Sequence, residues 1–219
     1  MEVKSLSVNC QGLGSIEKRR DVFNYLKSKT CNIYCLQDIH STQSTEQFIR
    51  AQWGYECIFS SGSSNSRGVA ILFSKGLEFQ IHKHCSDING NYIIADISVD
   101  KNRLTLINLY GPNKDNPEFF ENIMTIVETY NNNDCILCGD FNLVQDPDVD
   151  YYNYKRVNNV RAQKKVLEIK DMHNLIDPFR ECKPTLKRYT WRKKDHYNRL
   201  DLIVSLYQKG YYHPLIHVV

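Results

Sequence analysis

Short apolar runs of strand length alternate along this chain with longer segments that have the spacing of amphipathic helices. Residues 69–73 are wholly apolar, as in a buried strand. Ile123, Ile126, Val127 and Tyr130 are three, one and three residues apart, so they lie on one face of a helix. This pattern predicts strands at residues 3–9, 32–37, 69–73, 91–99, 103–109 and 134–138, a late strand pair at 188–191 and 199–204, and helices at 15–29, 42–52, 117–130 and 161–174.

Strands interleaved with helices predict an α/β fold built in layers. Residues 91–99 and 103–109 are separated only by Asp100-Lys101-Asn102, which is typical of a hairpin turn. Hairpins of this kind favour mixed rather than purely parallel sheets. The sequence has no internal repeat, low-complexity tract or Pro/Gly-rich linker, so we expect residues 1–219 to form one domain.

Composition narrows the class of protein. Of the 219 residues, 42% are apolar and 24% are charged, which is typical of a globular protein and argues against a disordered chain or a fibre. Residues 1–6 alternate polar and apolar positions without the apolar core of a signal peptide, and no apolar run has the length of a membrane span. We therefore expect a nuclear or cytoplasmic protein that is not secreted. The net charge of +3 permits a polyanionic partner without requiring one.

Cys135 and Cys138 have the CxxC spacing of some zinc and redox sites. No second ligand pair at comparable spacing accompanies them, and the run Cys135-Ile136-Leu137-Cys138 is uniformly apolar. We therefore predict two buried thiols in a strand rather than a metal site.

Polar side chains stand at the ends of several predicted strands. In an α/β fold such strand ends share an edge of the sheet, where ligand sites form. Carboxylate and amide groups gathered there suit a hard cation such as Mg²⁺ together with a phosphate group. Any one of them alone is more often an ordinary turn or cap residue, but that explanation is weaker for five strand ends at once. The residues are Asn9, Gln37, Asp38, Asn108, Tyr110, Asp140, Asn142 and Asp201.

Seven short segments carry a family resemblance. They are LSVNCQGL at 6–13, LQDIH at 36–40, GVAILFS at 68–74, LINLYGPN at 106–113, GDFN at 139–142, YTW at 189–191 and RLD at 199–201. In this order they resemble the endonuclease/exonuclease/phosphatase superfamily, and within it the apurinic-type endonuclease domain of non-LTR (LINE-like) retrotransposons. GDFN alone is moderately specific, whereas the ordered set is a strong signal.

The resemblance implies a four-layered α/β sandwich of two mixed sheets flanked by helices. It implies cleavage of a DNA phosphodiester that depends on Mg²⁺, with Mn²⁺ as a substitute. The product would be a nicked strand with a 3′-hydroxyl, which a reverse transcriptase domain of the parent element would extend in target-primed reverse transcription.

The resemblance also implies a role for each matching residue. Asn9 and Asp38 would sit at the metal, and Tyr110 would contact the scissile phosphate. Asp140 would orient or deprotonate the attacking water, and Asn142 would hold the phosphate in line. Thr190 would contact the DNA backbone, and Asp201 would orient a final histidine or assist the metal.

Two places depart from the family's pattern. Asp38 stands where the family has Glu, and its side chain is one methylene shorter. Because octahedral Mg²⁺ tolerates little misplacement of its ligands, the backbone or a bridging water would have to compensate, and we predict weakened metal affinity. The family's Ser-Asp-His is missing, and Tyr212-His213 stands near its place. Either His213 replaces the catalytic histidine, or residues 205–219 are an atypical, truncated remnant.

Six basic residues between Lys183 and Lys194 surround Tyr189 and Trp191. A basic hairpin with interleaved aromatic residues can follow a phosphate backbone, although a solvated turn has the same composition. Its position directly before the segment of Asp201 favours DNA contact. The predicted contact residues are Thr190, Trp191, Arg192, Lys193 and Lys194.

Three functions stay open at the level of the sequence. The leading hypothesis is a Mg²⁺-dependent DNA endonuclease of a LINE-like element, with duplex DNA as its partner and no membrane. The second is another phosphoesterase of the same superfamily. The third is a catalytically impaired remnant that only binds DNA, which Asp38 and the missing Ser-Asp-His support. Duplex binding is common to the first and third, so only activity separates them.

Overall fold

Two β-sheets packed face to face, with helices outside, form the body of the computed structural model, which describes residues 3–130, 134–153, 159–206 and 217–218. The strands are β1 (Ser5–Asn9), β2 (Ile33–Gln37), β3 (Cys57–Ser60), β4 (Val69–Phe73), β5 (Phe79–Ser86), β6 (Tyr92–Val99), β7 (Asn102–Tyr110), β8 (Cys135–Asp140), β9 (Tyr151–Tyr152), β10 (Leu175–Ile176), β11 (Trp191–Lys193), β12 (His196–Asn198), β13 (Asp201–Leu206) and β14 (His217–Val218). The helices are α1 (Ile16–Ser28), α2 (Gln43–Trp53), α3 (Pro117–Glu128), α4 (Pro147–Asp150), α5 (Val160–Met172) and α6 (Pro178–Cys182).

Both large sheets are mixed, as predicted. The first has the strand order β14-β1-β2-β4-β3, and the second has the order β10-β13-β8-β7-β6-β5. β1 runs parallel to β2 and β14, and β7 runs parallel to β8, whereas the other neighbours in these sheets are antiparallel. A small third sheet has the order β11-β12-β9.

Three apolar clusters separate four layers. Phe23 and Trp53, from α1 and α2, pack with Leu36 on the outer face of the first sheet. Helices α3 and α5 cover the second sheet through Phe120 and Val166. A third cluster fills the space between the two sheets and includes Ile71, Ile93 and Leu106. This arrangement confirms the predicted four-layered sandwich. Across the described ranges, none of the helices has both the length and the apolarity of a membrane span.

Helix α3 shows how local sequence sets an element. Asn116 caps its first turn by accepting a hydrogen bond from the Phe119 backbone N–H at 3.2 Å, and Pro117 supplies a preset φ at the first helical position. The predicted apolar face is the buried one, since Ile123 and Tyr130 are buried and Ile126 and Val127 pack against the same cluster.

The late strand pair is the clearest error of the sequence prediction. Residues 188–191 do not pair with residues 199–204. Instead β11 pairs with β12, and β13 joins the second sheet beside β8. The side chains of β13 enter both the helix-facing cluster and the cluster between the sheets, and a hairpin with an exposed basic segment could not bury them. Cys135 and Cys138 are buried in β8, which confirms the predicted pair of buried thiols in a strand.

A polar bridge joins the two sheets between Gln37 and Asn108. Asn108 Nδ2 donates to the carbonyls of Leu36 (3.0 Å) and Ala70 (2.8 Å), and its Oδ1 accepts from Gln37 Nε2 at 2.7 Å. Both side chains are completely buried. The sequence placed them with the other strand-end residues at the site edge, but they lie inside the sandwich because their side chains face the opposite sheet.

We expect Asn108→Ala to lower the free energy of unfolding by about 1–3 kcal/mol, because it removes a buried donor from the Leu36 and Ala70 carbonyls. It also removes one of the three acceptors of Gln37 Nε2, which keeps its hydrogen bonds to Ser7 Oγ and the Cys35 carbonyl. Urea denaturation followed by circular dichroism measures this change. Asn113→Ala, in the loop after β7, is the control for loss of an amide outside the core. Equal stability of Asn108→Ala and the wild type would mean that the bridge contributes nothing net.

Candidate active site

A hydrogen bond between Asn9 and Asp140 joins strand ends of the two sheets at the predicted site. Asn9, the last residue of β1, donates through Nδ2 to Asp140 Oδ2, at the end of β8, over 2.8 Å. Asp140 lies opposite Tyr110 on β7 and opposite Asp201 on β13 in the strand register. Four of the predicted site residues, from four strands, therefore meet at one edge.

The Asp140 carboxylate is held at both oxygens. Oδ2 accepts from Asn9, and Oδ1 accepts from the Asn142 backbone N–H at 2.8 Å. Only 5% of Asp140 is exposed, and burial raises the pKa of its carboxyl group. The two hydrogen bonds oppose this rise in pKa, and the negative charge of Asp38 adds to it. A fixed carboxylate of raised basicity is suited to accept a proton from water.

Asn142 stands on a tight turn at the end of GDFN. Its φ of +53° is in the left-handed region, and its Nδ2 donates to the Gly111 carbonyl at 2.7 Å. Gly111 has to be glycine here, because a Cβ would lie 2.2 Å from the Phe141 carbonyl oxygen. The loops after β7 and β8 are thereby locked together at the site.

Tyr110 is half-buried between these loops and the residues predicted at the metal, Asn9 and Asp38. Burial raises the pKa of its phenol, and the negative charges of Asp38 and Asp140 raise it further. Hydrogen bonds with the Asn142 and Asn113 side chains oppose the rise in pKa. The phenol therefore stays protonated at neutral pH and is available as a hydrogen-bond donor.

Asn9 and Asp38, the residues predicted at the metal, offer the oxygen ligands that Mg²⁺ prefers. Asp38 uses Oδ1 for hydrogen bonds from His40 and from the Arg67 backbone N–H, and within the ranges given above its Oδ2 has none. The amide oxygen of Asn9 accepts from the Gln11 backbone N–H at 3.0 Å and retains a second lone pair. In the described part of the chain no group of three or more His, Cys, Asp or Glu side chains forms a cation cage. Mg²⁺ usually takes one or two carboxylates and fills its other positions with water and phosphate oxygens, so a cage is not required.

Asp201 is buried beside Asp140. Burial and the negative charge of Asp140 raise the pKa of Asp201 to about 8, and a hydrogen bond with the Thr190 side chain opposes the rise. Among the described residues, Oδ1 of Asp201 has no hydrogen-bond partner. His213, which the resemblance pairs with this aspartate, lies outside the described residues.

Thr190 supports the strand of Asp201. Its Oγ1 accepts from the backbone N–H groups of Leu200 at 3.1 Å and Asp201 at 3.2 Å. This use of the hydroxyl group is structural, so contact between Thr190 and the DNA backbone stays a prediction.

The predicted nucleic-acid contacts lie on the β11–β12 hairpin. Trp191 is half-buried, whereas Arg192, Lys193 and Lys194 are exposed. The Arg192 guanidinium lies 5.2 Å from the centre of the Tyr197 ring, which matches a cation–π contact. The hairpin therefore presents positive charge and aromatic surface together. Because β12 leads through Arg199 into β13, this surface adjoins the strand of Asp201.

A buried ion network behind the hairpin was not predicted. Arg199 Nε donates to Asp150 Oδ1 at 2.7 Å, and its Nη2 donates to Asp177 Oδ2 at 2.6 Å. Arg180 also pairs with Asp150. The network connects the segment after GDFN to RLD, so it fixes Asp201 relative to Asp140. In the sequence, the signal for this network was the position of Arg199 in the RLD segment, two residues before Asp201.

Comparisons with known proteins agree with this architecture. No protein-family model matches the chain. The Transposon TX1 uncharacterized 149 kDa protein of Xenopus laevis is 23% identical over 194 residues, which are 87% of this chain and 15% of that protein. An AP endonuclease from Archaeoglobus fulgidus has a TM-score of 0.67 at 22% identity, covering 94% of this chain and 86% of its own. A 3′ phosphatase, NExo, from Neisseria, solved with a product DNA hairpin, has a TM-score of 0.65 at 20% identity, covering 92% and 85%.

These likenesses bear on the fold rather than on the activity, because the identities are low. The solved proteins share the fold of this chain. In this chain, the strand ends that carry Asn9, Tyr110, Asp140 and Asp201 lie at one edge of that fold. The resemblance inferred from the seven segments is confirmed at the level of the fold: the chain has the fold of AP endonucleases and is similar in sequence to a transposon protein.

Proposed function

We propose that this chain is a Mg²⁺-dependent DNA endonuclease that nicks a phosphodiester and leaves a 3′-hydroxyl. The observation that carries the proposal is the Asn9–Asp140 hydrogen bond, because it brings a buried carboxylate from one sheet to the predicted metal side of the other. The exposed basic hairpin supports a polyanionic substrate of extended shape rather than a small molecule.

Each residue of the site has a role that its surroundings support. Asp140 accepts the proton of the attacking water, since its carboxylate is fixed and its pKa is raised. Tyr110 donates to a nonbridging phosphate oxygen, and Asn142 positions the phosphate. Asp38 and Asn9 would hold Mg²⁺, and the bound ion would supply positive charge beside the phosphate as its negative charge builds up. Asp201 positions the final histidine, for which His213 is the candidate.

Nicking of a supercoiled plasmid tests the proposal. We expect conversion to the open circle with Mg²⁺ and none with excess EDTA, because the phosphate charge cannot be neutralised without the ion. Extension of the nicked strand by a DNA polymerase then reports a free 3′-hydroxyl. Folded protein that leaves the plasmid intact with both Mg²⁺ and Mn²⁺ would contradict the proposed activity and favour the binding-only remnant.

A second candidate is a phosphoesterase of different substrate class. The likeness to a 3′ phosphatase favours it, because the same fold serves that activity. A panel of phosphomonoesters and phosphodiesters separates the two candidates. Hydrolysis of a 3′-phosphate on DNA without plasmid nicking would support the second one.

The basic hairpin gives a further prediction. We expect Lys193→Ala/Lys194→Ala to weaken binding to duplex DNA and to flatten the dependence of log K on log salt by about 0.9 for each DNA phosphate that the variant no longer neutralises. The matched control is Lys75→Ala/Lys101→Ala, because these exposed lysines follow strand ends on the edge opposite to the site. If both variants show the same dependence of log K on log salt, the hairpin does not contact the DNA.

The parent context follows from the same proposal. The chain corresponds to 15% of the transposon protein's length, which leaves room in such a protein for further domains. We propose a reverse transcriptase domain as the partner that extends the 3′-hydroxyl, in the nucleus or the cytoplasm.

A further inference from the structure

A histidine stands beside the metal-side aspartate without any role assigned so far. His40 Nε2 lies 3.0 Å from Asp38 Oδ1. Because an ionised carboxylate can only accept, Nε2 carries the proton and donates it to Asp38. A second donor, the Arg67 backbone N–H, reaches the same oxygen at 3.0 Å.

The His40 ring is itself held in place. A Cβ on Gly12 would lie 2.7 Å from His40 Nδ1, so the ring packs directly over the Gly12 backbone, where a side chain would displace it. The His40 backbone N–H donates to the Arg67 carbonyl at 2.8 Å, and the Gly12 N–H donates to the Asp38 carbonyl at 2.6 Å. Three loops that follow or precede β1, β2 and β4 thus enclose the ring.

The backbone around this pair is unusual. Asp38, His40 and Arg67 have φ values of +51°, +54° and +64°, which place all three in the left-handed region that non-glycine residues seldom adopt. Such conformations cost free energy and persist where the surrounding structure over-determines them. Here these backbone conformations let the side chains of Asp38 and His40, two positions apart in the sequence, meet in a hydrogen bond.

We infer that His40 is a positioning residue for Asp38, which it orients by donating to Oδ1 so that Oδ2 is left for a divalent cation. This inference rests on the proposed metal site. It also supplies the compensation that the short aspartate requires, since both donors act on one oxygen and fix the rotation of the carboxylate. Partners of this kind, which bind a metal ligand rather than the metal, typically change metal affinity by about 10–100-fold when removed.

The test measures Mn²⁺ binding to the full chain by electron paramagnetic resonance, in parallel with plasmid nicking. We expect His40→Ala to raise the Mn²⁺ dissociation constant by about tenfold or more. His40→Gln is expected to recover most of the affinity, because its Nε2 donor can reach the same carboxylate oxygen. The control is His84→Ala, which makes the same substitution at an exposed histidine on β5 in the other sheet, and it should bind Mn²⁺ like the wild type. Circular dichroism confirms the fold of each variant.

The outcomes separate this inference from the proposed function. Unchanged or tighter Mn²⁺ binding in His40→Ala overturns the positioning role, even if the wild type nicks DNA. Weakened binding in His40→Ala with recovery in His40→Gln supports the role, even if no variant nicks DNA. A wild type that binds no Mn²⁺ overturns the inference together with the metal site.

Discussion

Replacing Arg199 by methionine is expected to lower the free energy of unfolding by about 3–5 kcal/mol, the largest stability effect that we predict for this chain. Arg199 is 4% exposed and binds Asp150 and Asp177, which are 0% and 6% exposed. Removing the guanidinium takes this partner from two buried carboxylates, and among the described residues Arg180 is the cation that remains paired with Asp150. The methionine retains much of the side-chain volume, so the loss measures charge rather than packing.

Urea denaturation compares this variant with two others. Arg161→Met breaks a pair with Glu118 in which both side chains are largely exposed, and it should change stability little. The triple variant Arg199→Met/Asp150→Asn/Asp177→Asn should regain part of the lost stability, because no buried carboxylate is then left unpaired. If Arg199→Met unfolds at the same urea concentration as Arg161→Met, the network is not a source of stability.

Asp140→Asn is expected to reduce the nicking rate by about 100- to 10,000-fold, the range that a general base contributes. The substitution keeps the shape of the side chain and leaves an oxygen to accept from Asn9 or from the Asn142 N–H, so the edge stays assembled. It removes the group that takes the proton from water. Single-turnover nicking at saturating Mg²⁺ measures the chemical step separately from metal binding.

The matched control is Asp148→Asn, which removes the same charge from an exposed position in α4. It should nick at the rate of the wild type. A rate within a few-fold of the wild type for Asp140→Asn, with its fold intact, would exclude Asp140 as the base and redirect attention to Asp201.

The sequence predicted the strand-end edge because its residues belong to short local segments. Asn9, Tyr110 and Asp140 each close an apolar strand, and parallel strand ends meet by geometry. The sequence did not predict β5, because this edge strand has mostly exposed side chains and therefore lacks an apolar pattern.

Long-range pairing explains what the sequence did not reveal. Arg199 is 49 positions from Asp150 and 22 from Asp177, and no local pattern links an arginine to acids at such distances. The inward-facing amides of Gln37 and Asn108 were assigned to the edge, because strand-end position alone does not distinguish a residue facing the partner sheet from one facing the site. His40 belongs to LQDIH, one of the seven segments that carry the family resemblance. Its contact with Asp38 was not predicted, because it depends on left-handed backbone angles that cannot be read from the sequence.

The division of the site between the sheets has a consequence for how the chain can be cut. β1 to β4 all belong to the first sheet, and β5 to β8, β10 and β13 all belong to the second. The boundary falls at residues 74–78, between β4 and β5. One fragment would carry Asn9 and Asp38, and the other would carry Tyr110, Asp140 and Asp201. The chain is thus organised as two complementary segments of unequal length, and neither holds both the residues predicted at the metal and the residue predicted to activate water. The short β14 returns from the second segment to the edge of the first sheet beside β1.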